Sequence, residues 1–463
     1  MKQNIILLVL DSVRKDFFDE YAVRIKARSD YSFKECRAAS SWSAPSHASM
    51  FTGLLPHEHG VSTYNRKMGS LTDYETICDL LQGYHTVGYS ANMYASPAYG
   101  FDSEFDSFIE VPRYQRYPEA LNAVSYFHKS DKEGLDLYMD YLQESISNEY
   151  PIKSLINGSL AQLKQLAMEQ PIPDPVDDGA KLMIREIRET LRTATEPTFV
   201  FANFMESHEP FGHIWGLDKS IHGVPSSWTS ASADRWDLIY DQDLYDDHVS
   251  RLKGLYAANI DYLDRLIASL IDSLSNMERE TTIIVTADHG ENLGNYTDDE
   301  LFGHTSSLSD GLLHVPLEVI NLDRSATISE YISHLQLPKF IENISNGEDD
   351  IPTSECIFSE VLGMAPGPQP PEDQTYWKRG IRCAYSDERK YEWDSLGNKR
   401  EFTVPKGTPN HQKQIDELET IPEWARDGFK NTISKAVSEA EKEETTTEVD
   451  AATEARLNDL GYM

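Results

Sequence analysis

The chain is poor in cysteine and in long apolar runs. Its 463 residues include four widely spaced cysteines without a Cys-x-x-Cys pair, which argues against a zinc knuckle or a disulfide framework. The longest apolar run near the start, Ile5–Leu10, has six residues before Asp11 ends it. That is too short for a membrane span or a signal-peptide core. We therefore expect a cytoplasmic protein that does not enter a membrane.

Basic residues are also scarce. The chain has 77 acidic and 42 basic residues, a formal net charge of −35. Such a surface repels nucleic acid and anionic membranes, so neither is an expected partner. Self-repulsion at this charge destabilises the compact state in dilute buffer, whereas concentrated salt screens it. The composition therefore predicts a halophilic protein; an ordinary acidic cytosolic protein with an acidic tail is the alternative.

Short apolar runs alternate with helical patterns along most of the chain. Asn4–Leu10, Thr198–Phe204 and Thr281–Ala287 are continuous apolar, partly β-branched runs, typical of strands buried on both faces. A shorter run spans His314–Ile320, and Leu255–Leu274 has apolar residues at helical spacing. This alternation predicts an α/β fold with a large, mostly parallel central sheet flanked by helices.

Chemically active side chains follow three of these runs. Asp11 comes directly after the first, His208 a few residues after the second, and Asp288 and His289 directly after the third. In parallel sheets the functional groups gather at the carboxyl ends of the strands. The sequence therefore predicts that these four residues lie together at one edge of the sheet.

The alternation of strand and helix patterns divides the chain into two parts. Residues 1–345 carry the alternating pattern, with a polar, Tyr-rich stretch at 113–178 that predicts a helical insertion. We assign residues 346–463 to a small C-terminal subdomain with an acidic tail, because a Pro/Gly-rich loop at Pro366–Pro371 precedes the strand-like region Gly380–Val404. The acidic, Thr-rich run Glu439–Asp450 predicts a solvated tail.

Ser43 lies in a segment that changes from loop to helix. Pro45 fits a first helical turn, where its missing N–H is not needed, so Ser43 is expected just before the helix N-terminus. Free N–H groups and the helix dipole favour an anion there, and a hydroxyl at this point can act as a nucleophile. On this segment alone, Ser43 could equally be an ordinary helix cap.

Asp11, Asp288 and His289 combine two carboxylates with an imidazole. This donor set suits one divalent cation that accepts mixed oxygen and nitrogen ligation, such as Ca²⁺, Mg²⁺, Mn²⁺ or Zn²⁺. Taken singly, Asp288 could be a helix cap and His289 a turn residue. Their position at the ends of neighbouring strands favours the metal site.

Together these segments resemble the sulfatase family of the alkaline phosphatase superfamily, in its haloarchaeal type. The resemblance runs in family order from residue 4 to residue 462. The first strand with its acid is 4–11, followed by Arg14 and Asp16, and the nucleophile signature is 43–53. The second metal motif is 286–291, the block after it is 303–304 with 314–317, and the chain end is 456–462. It implies an alkaline phosphatase-like fold and a metal held by Asp11, Asp288 and His289. It also implies that Ser43 is the nucleophile.

The same resemblance gives roles to two further histidines. His208, within Ser207–Pro210, would face the substrate as leaving-group acid or anion clamp. His304 stands where the family keeps a positive group near the transferred anion. A histidine can donate to developing charge near neutral pH, although each could also be an ordinary loop residue.

Three departures from the family pattern bear on the chemistry. The family has a second aspartate where this chain has Ser12, an arginine where it has His47, and a Gly-Lys-Trp-His substrate stretch where it has Tyr89–Tyr94. The family nucleophile is usually oxidised to formylglycine in a motif that ends with the arginine, so His47 favours an unmodified Ser43. The ligand set then resembles the one-metal site of lipoteichoic acid synthases and phosphoethanolamine transferases, which use an unmodified threonine.

The expected function is hydrolysis of a small anionic sulfate ester with Ser43 as nucleophile. A phosphomonoesterase, phosphodiesterase or phosphotransferase on the same one-metal site is the first alternative. An inactive binding protein on a sulfatase fold is the second, although none of the three expected ligands is lost. The sequence does not predict the oligomeric state.

Overall fold

The computed structural model describes residues 2–111, 116–123, 126–127, 130, 132, 134–169, 173–174, 176–304, 306–322, 324–348, 350–443 and 457. The described residues form fifteen strands: β1 (Asn4–Leu10), β2 (Tyr31–Arg37), β3 (His85–Ser90), β4 (Ser107–Glu110), β5 (Thr198–Phe204), β6 (Thr281–Thr286), β7 (Asn292–Leu293), β8 (Phe302–Gly303), β9 (Leu317–Ile320), β10 (Ala326–Ser333), β11 (Ile357–Leu362), β12 (Gly380–Ser386), β13 (Arg389–Asp394), β14 (Lys399–Thr403) and β15 (Lys413–Glu417).

Helices connect the strands throughout. The α-helices among the described residues are Lys15–Tyr21, Val23–Lys26, Ser43–Thr52, Pro56–His59, Ile77–Leu80, Gly134–Ser147, Pro151–Glu169, Ala180–Thr193, Lys219–His222, Arg235–Tyr240, Asp246–Leu274, Asp310–Leu313, Leu337–Asn346, Gln374–Trp377, Glu423–Asp427 and Ile433–Lys442. No helix in this part of the chain is both long and apolar enough to cross a membrane.

Eight strands form the central sheet, in the order β10-β2-β9-β6-β1-β5-β3-β4. All neighbours are parallel except at β9, which is antiparallel to both β2 and β6. Strands β1, β5 and β6 are buried along their whole length, which explains their continuous apolar sequence. The predicted α/β fold with a mostly parallel sheet is therefore confirmed.

Two groups of helices pack around this sheet. The long Asp246–Leu274 helix contacts Ala180–Thr193 and Lys15–Tyr21, whereas Ser43–Thr52 contacts Leu337–Asn346. The Asp246–Leu274 helix buries an apolar stripe that begins before the predicted Leu255–Leu274 segment. These helices enclose the sheet on which the site is built.

One predicted strand is shorter than expected. The His314–Ile320 run forms a strand only from Leu317, because Asp310–Leu313 makes a helical turn that ends at His314. Pro316 also lacks the N–H that a strand residue would offer to its neighbour.

Strands β11 to β15 form a second, fully antiparallel sheet in chain order, which confirms the predicted C-terminal subdomain. Ser359 and Glu360 on β11 attach it to the first domain, through bonds of 2.7 and 2.9 Å to the carbonyls of Ala38 and Ala39. Part of the predicted 113–178 insertion lies outside the described residues; within it, Gly134–Ser147 packs on Pro151–Glu169. Most of the predicted acidic tail and closing motif also lies outside them, although Leu457 is buried.

Candidate active site

Three adjacent parallel strands bring the predicted residues to one edge of the sheet. Strand β1 lies between β5 and β6, and Leu10 on β1 is in register with Phe204 on β5. Asp11 directly follows β1, Asp288 and His289 follow β6, and His208 follows β5. The carboxyl ends of these strands therefore place all four side chains in one region.

Ser43 is the first residue of the Ser43–Thr52 helix, whereas the sequence suggested a position just before the helix. The helix therefore begins one residue earlier than expected. The cap residue is Trp42, whose side chain makes no capping bond, so Ser43 is not the helix cap. The Ser43 hydroxyl instead lies 3.3 Å from His289 Nε2 and 3.5 Å from Asp11 Oδ2. The nucleophile candidate and the metal-ligand candidates thus share one site.

Asp11, Asp288 and His289 each offer one ligand atom, and these atoms all lie within 4.8 Å of one another. All three residues are 0% exposed. Asp288 Oδ2 has no hydrogen-bond partner within the described residues. His289 Nδ1 donates to the Gly290 carbonyl at 2.7 Å, which leaves the Nε2 lone pair towards Ser43. A divalent cation fits this arrangement of donors.

The charge balance of this group also suits a cation. Burial and repulsion from Asp288 raise the pKa of Asp11 to about 8. Burial opposes ionisation of Asp288 as well, but attraction to His289 lowers the pKa of its carboxyl. Two buried carboxylates this close repel one another unless a positive charge lies between them.

Ser12 and Asn92 hold the carboxylates in place. The Ser12 hydroxyl donates to Asp11 Oδ1 at 2.9 Å and its N–H to Asp288 Oδ1 at 3.1 Å, with Ser12 at φ 60°. Asn92 Nδ2 donates to Asp11 Oδ2 at 2.5 Å. No sequence motif marks Asn92 as a site residue, although its position just after β3 follows the same strand-end rule that identified Asp11.

His47, which replaces the family arginine, ties the start of the Ser43–Thr52 helix to the sheet. Its Nδ1–H donates to the Ser43 carbonyl at 2.8 Å, and its Nε2 accepts from Asn203 Nδ2 at 3.1 Å. Burial lowers the pKa of His47, so the ring is neutral near pH 7. It therefore orients the serine backbone without adding the fixed positive charge of an arginine. In the sequence, Asn203 stands out only as an amide side chain within the largely apolar run that forms β5.

His208 and His304 form one wall of the site. Their ring centres are 5.3 Å apart, and that of His304 is 5.0 Å from that of His289. They are 3% and 2% exposed, and burial lowers the pKa of each well below the usual histidine value. The structure thus brings all six predicted residues together.

Two carboxyls lie behind this wall. Glu291 Oε1 is 3.5 Å from His304 Nδ1, and burial raises the pKa values of Glu291 and Glu209 to about 7. Arg235 lies beside them, 3.6 Å from Glu209. Arg235 was not predicted, because nothing in the sequence of the irregular connection after β5 marks it as a site residue.

The family model for sulfatases matches residues 3–341, which is most of the chain. The chain therefore belongs to the sulfatase family, a family of ester hydrolases.

A choline-sulfatase from Rhizobium meliloti (strain 1021) is 22% identical to this protein. The match covers 63% of this chain, and the chain spans about 58% of the length of that relative.

Solved structures share the fold. The phosphonate monoester hydrolase from Silicibacter pomeroyi superposes with a TM-score of 0.57 at 15% identity, over 87% of this chain and 89% of that chain. A 2-O GAG sulfatase gives a TM-score of 0.57 at 12% identity, over 87% and 85%. At these identities the likeness concerns the fold alone.

Proposed function

We propose that this protein is a metal-dependent hydrolase of sulfate esters that uses the Ser43 hydroxyl as nucleophile. The observation that carries the proposal is the convergence of Ser43 with Asp11, Asp288 and His289 in a buried group. A fold that had lost its activity would be expected to have lost at least one of these groups. Instead, second-layer bonds from Ser12 and Asn92 still orient the carboxylates.

Asp11, Asp288 and His289 would hold the cation, with Ser43 beside it. When bound, the cation would lower the pKa of the serine hydroxyl and neutralise the charge of the ester. It would also attract an anionic substrate to a protein of net charge −35.

The chain's own residues then carry out two displacements at sulfur. Ser43 Oγ loses its proton and attacks the sulfur atom, and the bond from sulfur to the leaving oxygen breaks. An imidazole N–H of His208 or His304 gives that oxygen a proton, and the proton released from Ser43 replaces it on the ring. Water next attacks the sulfur of the covalent ester, the Ser43 Oγ–S bond breaks, and sulfate leaves as the hydroxyl is restored. His47 and Asn203 keep the serine backbone in position during both steps.

Phosphate monoesters, phosphate diesters and phosphonate esters are the second candidate substrates. The observation that favours them is the neutral His47 in place of arginine, together with Ser12 in place of the second aspartate. An unmodified serine must be released by attack on its own ester, and phosphorus accepts that second attack more readily than sulfur does.

A substrate panel tests the proposal. Aryl sulfates, phosphate monoesters, phosphate diesters and phosphonates would be assayed in high salt with Ca²⁺, Mg²⁺, Mn²⁺ or Zn²⁺. We expect turnover with at least one metal and none after chelation. Ser43→Ala should abolish turnover while keeping part of the metal affinity, and Ser40→Ala, another buried serine close by, is the matched control. Near wild-type turnover in Ser43→Ala would refute the nucleophile assignment.

The chemical state of Ser43 separates the two substrate classes. We expect an unmodified hydroxyl in protein from its native host. Peptide mass spectrometry decides, because oxidation to formylglycine removes two hydrogens. The aldehyde would overturn this expectation and strongly favour sulfate esters, whereas an unmodified serine shifts weight towards phosphate and phosphonate esters.

A further inference from the structure

Arg235 brings a guanidinium to the leaving-group side of the site. It is the first residue of the Arg235–Tyr240 helix, in the connection between β5 and the Asp246–Leu274 helix. Its side chain is 16% exposed and lies against Gly303, where a Cβ would come within 2.7 Å of Arg235 Cζ. Because Gly303 directly precedes His304, the guanidinium lies next to the histidine wall.

The protein itself makes little use of this guanidinium. Among the described residues its ion-pair partner within 4 Å is Glu209, whose Oε2 lies 3.6 Å away, beyond good hydrogen-bond distance; Glu291 also feels its charge. An arginine carries five N–H donors, and a nearly buried one normally has them satisfied. Arg235 therefore keeps donors available for a further acceptor.

Arg14, a buried arginine nearby, shows the contrast. It donates to both oxygens of Asp16, to Asp298 and to the Glu291 carbonyl, at 2.8–2.9 Å. Arg14 thus uses four of its five donors as a structural residue. If Arg235 served only to neutralise Glu209 and Glu291, similar short bonds would be expected.

The segment that carries Arg235 is held in place by the C-terminal subdomain. Trp236 Nε1–H donates to the Pro368 carbonyl at 3.0 Å, and the Trp236 ring meets Trp377 edge-on at 4.9 Å. Met364 packs into the same cluster. The loop between β11 and β12 therefore fixes the position of the guanidinium, which limits the entropy lost when it binds a ligand.

We propose that Arg235 binds a second anionic group, a carboxylate or a sulfate, on the leaving group of the substrate. The inference rests on the proposed function, in which the reacting anion lies at Ser43 and the leaving oxygen faces His208 and His304. Arg235 lies against Gly303, next to His304 on the proposed leaving-group side, so we assign it to a charge beyond the reacting group. A guanidinium fork matches two oxygens of a carboxylate or sulfate, and Glu209 on one side orients it.

A matched pair of esters tests this assignment. 4-Carboxyphenyl sulfate and 4-carbamoylphenyl sulfate have the same shape and differ in one charge. For the carboxylate, Arg235→Gln should lower kcat/KM by roughly 10- to 100-fold, mainly through KM, as expected for one charge-assisted pair. For the carboxamide the change should stay below about 3-fold, and Arg235→Lys should restore part of the loss. 1,4-Phenylene disulfate shows whether sulfate is preferred to carboxylate.

Arg24→Gln is the control, because Arg24 also pairs with carboxylates, Asp261 and Asp264, but is 43% exposed and outside the site. It should change neither ester. An equal fall for both esters in Arg235→Gln would mean that the residue is only structural. No change for either would mean that it binds nothing. Both results overturn the proposal.

Binding of the product alcohols separates this inference from the proposed function. Calorimetry with Mn²⁺ or Ca²⁺ present compares 4-hydroxybenzoate with 4-hydroxybenzamide in the wild type and in Arg235→Gln. A preference for the carboxylate that the variant loses supports the arginine site even if no ester is turned over. Ester hydrolysis without such a preference supports the proposed function and overturns the arginine site. Failure of 4-hydroxybenzoate to bind the wild type also overturns the arginine site.

Discussion

Two regions of the molecule bury charged side chains in opposite ways. In the C-terminal sheet, Glu360 on β11 lies directly opposite Arg382 on β12 and accepts from its Nε at 2.6 Å. At the edge of the central sheet, the ionisable neighbours of Asp288 among the described residues are two imidazoles, His47 at 3.7 Å and His289 at 3.4 Å.

The difference shows which buried carboxylates contribute to stability and which do not. The paired carboxylate of Glu360 keeps a pKa below its usual value despite burial, because His57 and Arg382 stabilise its charge. The carboxyl of Asp11, which faces Asp288, has its pKa raised by burial and repulsion. At the candidate site the fold thus maintains an unfavourable charge arrangement that a bound cation would relieve, as active sites commonly do.

Removing a metal ligand should have the largest effect on activity. Asp288→Asn or Asp11→Asn takes one charge from the cation, so we expect activity to fall by roughly 10³-fold or more and metal affinity to drop. Without metal, the melting temperature should stay the same or rise, because the variant removes repulsion. Unchanged metal content with full activity in either variant would refute the site.

Breaking the buried Glu360–Arg382 ion pair in the C-terminal sheet should instead reduce stability. Arg382→Gln removes the arginine that pairs with Glu360 and leaves His57 as its hydrogen-bond partner in the described structure, so we expect the free energy of unfolding to fall by about 3 kcal/mol. Denaturant titration measures the loss, and specific activity of the folded fraction should be retained. A neutral effect would show that this buried pair contributes no net stability.

Acid should destabilise the C-terminal sheet in a defined pH window. Lys390 and Arg400 hold the pKa of Glu392 at about 2 against the opposing effect of burial. A folded pKa below the unfolded one stabilises above the unfolded value of about 4.3, and this contribution, about 3 kcal/mol, is lost as the pH falls towards 2. Glu392→Gln should flatten the stability curve between pH 5 and pH 2, whereas Glu417→Gln, on the exposed edge strand β15, should not.

Salt should have the smallest effect per charge but act on the whole surface. With −35 formal charges, the melting temperature should rise by several degrees as KCl goes from about 0.1 M to about 2 M, where the screening length falls to a few Å. Differential scanning calorimetry would show it. A flat or falling curve would remove the halophile prediction.

Much of the architecture follows from the sequence alone. Continuous apolar runs predicted β1, β5 and β6, because strands buried on both faces must be apolar along their whole length. The residues after these strands could be named as site candidates for the same local reason. The Pro/Gly-rich loop and the strand-like pattern after it also located the C-terminal sheet.

Only the tertiary structure decided which side chains work together. Asn92, Asn203 and Arg235 lie far from Asp11 and Ser43 along the chain, and their roles depend on the strand order and on contacts across domains. Sequence patterns report periodic burial, which local residues determine, whereas hydrogen-bond partners and charge pairing depend on the three-dimensional packing. The candidate nucleophile and candidate metal ligands could therefore be read as motifs, but whether each buried charge is paired or left for a ligand could not.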